Sequence, residues 1–382
     1  MKYVFLASSR LSGRLHLWWP TVFFLSRTGS LRNLDPESRL RLSYAFLLGR
    51  ANPKVQQTFA RMIRREVNRS GEIDLWLSHV AWSLGRPGLA ICLYRRAAKV
   101  HKDSSEGLQA AKEALFAEAL QSRTLETSLY STVSKVCVGL HDGQPLILVA
   151  LSSRYLELFS LWKQQTTKHV QGQLVVLAMD NGVTEHLKTD KRTIVIDLST
   201  YFTFDITGRV DDYNRHHLWM LRVLIIKSLI SLGRIVISLD LDAILLSDLS
   251  KMLESLPQAD IIAQQDYSGP MDVARKFGFI VCCGFMVIRS NQSTVSFLER
   301  YVRQTNLELD DQSALNHLLA DCAITNVIKE PSYLAFHSAG VSWVCPTPEL
   351  VSRDLDYGTV VRHFQQQEQR VDELKARLGL SA

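Results

Sequence analysis

The sequence predicts an α/β protein: a mostly parallel sheet with helices on both faces over residues 125–382, preceded by an all-α, helical-repeat-like domain over residues 35–124. Three observations carry this. After Leu125, continuous apolar runs of strand length alternate with amphipathic helical stretches. Before Ser122, apolar residues recur three and four apart. The composition, 46% hydrophobic and 21% charged, is that of a globular chain with an ample core and excludes a disordered one.

Residues 1–34 stand apart. They hold Lys2, Arg10, Arg14, Arg27 and Arg32 and no acid before Asp35. This bias reads as an organelle-targeting or peripheral membrane-contact segment, and equally as a helix with its bases toward water. "LHLWWPTVFFL" is too short to span a bilayer, so no transmembrane helix is expected. The compartment is left open between the cytoplasm and an organelle. Helical periodicity then runs through "LRLSYAFLLG", "VQQTFARMIRREV", "DLWLSHVAWSLG" and "GLAICLYRRAAKV". Gly85, Ala90, Tyr94 and Ala97 have the spacing of a tetratricopeptide-like hairpin, with a weaker echo around Gly49 and Phe59. Such a domain packs for stability or docks a protein partner.

The α/β half opens with "PLILVALSS", a buried strand, and "RYLELFSLWKQQ", an amphipathic helix. The strand "QLVVLAMD", the short helix "VTEHLKT" and the strand "RTIVIDL" follow. "HHLWMLRVLIIKSLISLG" is a long apolar helix ending at Gly233, and it feeds directly into "RIVISLDLDAILLSDL". Ligands of open α/β sheets bind beyond the carboxyl ends of the strands. Chemistry is therefore expected at Ser152-Ser153, at Asp180 and at Asp240 to Asp242.

Asp240 and Asp242 interrupt an almost unbroken apolar run. In a strand, residues two apart point to the same side, so both carboxylates are expected together with Leu241 turned into the core. Two adjacent carboxylates repel unless a cation lies between them. A hard divalent ion, Mg²⁺ or Mn²⁺, bridging to a substrate diphosphate answers that need. The plainer alternative is a strand end turning into solvent. Asp248, at "SDLSKML", is sufficiently explained as a helix cap.

In this order, "LILVALSSRYLELFSLWKQQ", "LVVLAMDNGVTEHL", "LRVLIIKSLISLGRIVISLDLDAILLSDL", "ADIIAQQD...VCCGFMVIRSN" and "LDDQSALNHLL" resemble a nucleotide-diphospho-sugar transferase of the GT-A fold. The likeness runs from Leu146 to His363 and is strongest to the family that includes plant cell-wall xylosyl- and arabinosyltransferases. It implies a GT-A-like, Rossmann-like sheet and a metal-dependent transfer of a sugar from a nucleotide diphosphate, with retention. It implies that Asp240 and Asp242 hold Mn²⁺ or Mg²⁺ against the donor's diphosphate. Arg222 takes the place of a basic residue suited to a phosphate or base contact; on its own it reads equally as a snorkelling charge. Asp311 and Gln312 match an Asp-Gln pair beside the sugar and acceptor, although a helix cap at Asp310 or Asp311 needs no catalysis. His363 takes the place of a histidine that reaches the metal, with His337 as competitor.

One departure is Cys282-Cys283, where the family usually has an Asn or a small hydroxyl residue before Gly284; this leaves the donor sugar open. The six cysteines show no zinc spacing, and two packed core thiols are expected at 282 and 283. The net charge of +6 suits an anionic ligand. No nucleic-acid motif is present. Two rivals stand beside the transferase: a degenerate sugar-transferase fold acting as an adaptor through its helical domain, and a nucleotidyltransferase. The latter would want a Gly-rich phosphate loop after the first strand, where this chain has "ALSSRYLELF".

Overall fold

A computed structural model describes residues 87–363 except 101–104, 142, 203–211, 268–269, 309 and 353–358, with scattered positions outside that span. The basic segment 1–34, and Gly49, Phe59 and Gly85 of the expected repeat, lie outside the described residues. Packing divides the chain into two compact units, one of residues 1–125 with 306–308 and one of 126–305 with 309–382. In the first, α1 (Pro87–Val100) packs against α2 (Ser105–Gln121). Ala90, Tyr94, Ala97, Ala110, Ala114 and Ala117 are buried there; alanines on both helices permit close approach of the backbones. No helix among the described residues is long and apolar enough to cross a membrane.

The second unit opens with α3 (Thr124–Cys137) and continues as β1 (Leu146–Leu151), α4 (Leu156–His169), β2 (Gln173–Ala178), α5 (Asn181–Leu187) and β3 (Thr193–Asp197). α6 (Asp212–Ser231) leads into β4 (Val236–Leu239), β5 (Ala243–Leu245), α7 (Leu249–Ser255), β6 (Ile261–Asp266), α8 (Met271–Phe277) and β7 (Ile280–Ile288). α9 (Gln292–Glu308) and α10 (Asp311–Asp321) precede β8 (Thr325–Glu330), β9 (Tyr333–Ser338), β10 (Val341–Pro346), β11 (Val351–Ser352) and β12 (Val361–His363). Gly233, at φ +81°, supplies the left-handed residue that turns the chain from α6 toward β4.

Among the described residues, nine strands form one sheet in the order β3-β2-β1-β4-β7-β6-β10-β9-β8, and β11-β12-β5 form a second. β1, β2, β3 and β4 are parallel, as are β6 and β10, whereas β7 runs against both β4 and β6. The sheet is mostly parallel, and its central strands are buried from end to end, as their continuous apolar runs require. One face packs Ile147, Val149, Leu174, Val176, Ile237, Phe285 and Val287 against Phe159 and Trp162 of α4. Strand order reverses between β1 and β4, where a ligand crevice is expected outside the carboxyl ends.

Candidate functional site

β4 stops at Leu239, one residue earlier than the alternation argument needs. Asp240, Leu241, Asp242 and Ala243 form a tight turn, closed by the Ala243 N–H donating to the Asp240 carbonyl at 2.9 Å. The two aspartates therefore occupy the first and third positions of a turn, not alternate positions of a strand, while Leu241 does pack against the core as expected. The Asp240 N–H donates to the Gly284 carbonyl at 2.9 Å, which ties the turn to β7. From the other side, the Trp162 indole donates to the Ala243 carbonyl at 2.7 Å and the Gln165 amide to Leu245 at 3.0 Å. A buried aromatic and a buried amide on α4 thus fix the strand that leaves the turn.

Arg222 is the centre of the charge arrangement. Its guanidinium reaches Asp240 Oδ1 at 2.5 Å through one nitrogen and Asp311 Oδ2 through the other. Only 9% of its side chain is exposed, so the snorkelling alternative is overturned. Burial opposes the charge of Arg222, but the carboxylates of Asp311 and Asp240 outweigh it and hold the guanidinium protonated. For Asp311, at 5% exposure, burial pushes the carboxyl upward and Arg222 pulls it back. Asp240 is 39% exposed, and so faces outward from the same ion-pair network.

The capping alternative divides between neighbours. Asp310 is the N-cap of α10, accepting from the Ser313 N–H at 2.6 Å. That leaves Asp311, the first residue of the helix, to bind Arg222. Gln312 follows it half-buried, its carbonyl accepting from the Asn316 amide at 2.8 Å. Asn316 also takes both backbone groups of Val281, each at 2.7 Å, and so continues the pairing of β7 beyond the end of β4. The Tyr301 hydroxyl donates to the Asp311 carbonyl at 3.1 Å and lies 3.4 Å from Cys283 Sγ. Burial raises the thiol of Cys283 well above its ordinary value, so it remains a neutral packed group; Cys282 and Cys283 are both buried and neither is in a disulfide.

The remaining sequence candidates separate by location. β12 pairs with β5 so that His363 lies opposite Ala243, next in chain to Asp242. His337 is on β9 opposite Ser342, beside Asp260 at the amino end of β6, the far end of the sheet from the Asp240 turn. Asp180 caps α5 through the Val183 N–H at 3.3 Å and accepts from the Ser153 N–H at 2.8 Å, which makes it a clamp between two loops. Gly182 permits that approach, since a Cβ there would meet Ser153 Cβ at 2.9 Å. Asp248 caps α7 through the Ser250 N–H at 2.9 Å. Among the described residues no group of three His, Cys, Asp or Glu side chains is arranged to hold a metal. The donor set of Asp240 and Asp242 still fits a magnesium-like ion, which is commonly bound by one or two carboxylates with substrate phosphates completing the shell.

Sequence reasoning missed Trp162, Gln165 and Tyr301, whose contacts join residues distant in the chain. No signal marks them, because each reads as an ordinary member of an amphipathic helix.

The nucleotide-diphospho-sugar transferase family profile matches residues 169–375, more than half of the 382 residues. No curated protein matches the chain. Similar solved structures include the WbbM bifunctional glycosyltransferase, 10% identical, covering 46% of this chain and 38% of its own at a TM-score of 0.31. The glycosyltransferase GlyE of Streptococcus pneumoniae is 17% identical, with 47% and 43% covered at a TM-score of 0.30. Mouse xyloside xylosyltransferase 1 is 12% identical, with 46% and 82% covered at 0.29. The chain spans less than half the length of the first two.

Proposed function

Because the chain belongs to the nucleotide-diphospho-sugar transferase family, we propose that it is a metal-dependent glycosyltransferase. It moves a sugar from a nucleotide diphosphate to a hydroxyl on a glycan, protein or small molecule. The observation that carries this reading is Arg222 held between Asp240 and Asp311 at the carboxyl end of β4, beside the reversal of strand order. The carboxylates of Asp240 and Asp242 are oxygen ligands of the kind a hard divalent cation prefers.

In this reading Asp240 and Asp242 would hold Mn²⁺ or Mg²⁺, with His363 proposed as a further ligand. A bound cation would supply Lewis-acid neutralisation of the departing nucleotide diphosphate. Arg222 is fixed by its two carboxylates and orients the diphosphate without needing to reorganise. Asp311 and Gln312 open α10 toward the sugar and the acceptor. The bond from the anomeric carbon to the β-phosphate oxygen breaks, a bond to the acceptor oxygen forms, and the acceptor's proton passes to the leaving diphosphate. No side chain is assigned as a covalent nucleophile, so attack on the departing face, with retention, is the mechanism proposed. Residues 35–124, whose sequence has helical periodicity, are assigned to binding a protein partner, and residues 125–382 to the transfer.

The test is hydrolysis of a panel of nucleotide sugars with Mn²⁺, since transfer to water reports donor use without a known acceptor. Turnover of one donor that is lost in both Asp240→Ala and Asp242→Ala supports the reading. Undiminished turnover in both variants contradicts the site. Binding of donor without turnover would favour the adaptor.

A further inference from the structure

Among the described residues three buried side-chain amides lie on the sheet unit, and two of them are accounted for. Gln165 and Asn316 spend theirs on backbone groups of β5 and β7. Gln264 does not: its side chain is fully buried, yet among the described residues neither its oxygen nor its nitrogen has a hydrogen-bond partner. A buried amide left unpaired is strongly disfavoured, so such a group is retained where a ligand or a water completes it.

Its place in the fold points to which. Along β6 and β7 the register runs Ile262 to Val287 and Ala263 to Met286, then jumps to Gln264 opposite Cys282. Cys283, Gly284 and Phe285 are thereby thrown out as a bulge, a feature that re-aims a strand next to a site. The bulge includes Gly284, whose carbonyl holds the Asp240 N–H. Alternation along β6 puts Gln264 on the same face as Ile262. That face packs with Leu239, with Ala243 to Leu245 and with Val351 of β11, which lies over β6. The unpaired amide therefore sits on the face bearing β5, the strand that leaves the Asp240–Asp242 turn, near the carboxyl end of a strand parallel to β4.

We propose that Gln264 is a specificity-determining residue, its amide reading a hydroxyl of the donor sugar once the diphosphate is seated at the Asp240–Asp242 turn. The inference rests on the donor reading above. The alternative source of a hydroxyl-like partner is a resident water, which would make the amide merely structural. A site that hydrogen-bonds a substrate hydroxyl discriminates sharply against an analogue lacking it, whereas an apolar pocket does not.

The experiment compares wild type with Gln264→Leu and Gln264→Met, near-isosteric and apolar, by calorimetric binding in Mn²⁺. The probes are UDP, GDP, UDP-glucose, UDP-galactose, UDP-xylose and GDP-mannose, and thermal unfolding is followed in parallel. The expected result is that the preferred nucleotide sugar weakens by about tenfold or more, its discrimination over sugars differing at one hydroxyl collapses, and binding of the bare diphosphate stays within about twofold. Tm should hold or rise, because an unpaired buried amide has been removed. Equal discrimination in wild type and variants leaves the donor reading intact and overturns the role of Gln264, as does an equal loss for sugar and bare diphosphate. Failure of both variants to fold also overturns it, since that makes the amide structural. A wild type that binds no diphosphate and no nucleotide sugar removes the donor reading and this inference together.

Discussion

Arg222 compensates the charge of Asp311 where burial disfavours an unpaired carboxylate. Arg222→Met leaves Asp311 buried without its partner, and such breaks cost about 3–5 kcal/mol. The expected result is a denaturation midpoint lowered accordingly, with much of the loss recovered in the double variant Arg222→Met/Asp311→Leu. Without the guanidinium, burial and the neighbouring charges of Asp310 and Asp240 lift the Asp311 carboxyl further, so the folded state takes up a proton that the unfolded chain releases. The deficit of the single variant should therefore shrink as pH falls and grow as it rises. Asp242 and Asp248, six residues apart, separate cleanly under mutation. Asp248→Ala loses a cap worth about 1 kcal/mol and should keep its turnover, while Asp242→Ala keeps its stability and loses turnover in Mn²⁺. At this scale the charged members of the network were legible, because an Arg in an apolar helix and acids in an apolar run are conspicuous. Their geometry was not: the chain turns between Asp240 and Ala243 where strand alternation was expected to continue, and no local apolar pattern marks that change of direction.

Between elements, Asp260 ties the start of β6 to β10 and α9. Its carboxylate accepts from the Ser342 N–H and hydroxyl, each at 2.8 Å, and from the Asn291 amide at 2.5 Å. Burial works against its charge, but the Ser342 and Asn291 bonds outweigh it and hold the carboxyl below its usual range. A depressed carboxylate contributes stability above its unfolded value and loses it as pH falls through the folded one. Asp260→Asn should thus cost about 1–2 kcal/mol at neutral pH. In a urea series the two proteins should converge below about pH 4. The strands β1, β2 and β4 were readable because burial on both faces writes itself as an unbroken apolar run, and helices α4 and α6 because apolar residues recur along them at helical spacing. β8 was not, since "TNVIKE" is exposed throughout and carries no period. β11, only two residues long, was unreadable from pattern for lack of length. Both are placed by pairing with distant partners, information that no local window contains.

Across the whole molecule, chain order alternates strand and helix, and that alternation was enough to anticipate a mostly parallel sheet. The antiparallel entry of β7 between β4 and β6 was not anticipated, yet it is what delivers the Gly284 carbonyl to Asp240 and, through Val281 and Asn316, couples β7 to the helix bearing Asp311. The central claim is that this convergence serves a metal-assisted nucleotide diphosphate. Titration of UDP and GDP calorimetrically into the full chain, with Mn²⁺ and with EDTA, tests it most directly. The account predicts binding of one of them that needs Mn²⁺ and is lost in Asp242→Ala, whose unfolding curve matches wild type. Binding of equal strength in EDTA, or undiminished in that variant, would contradict it.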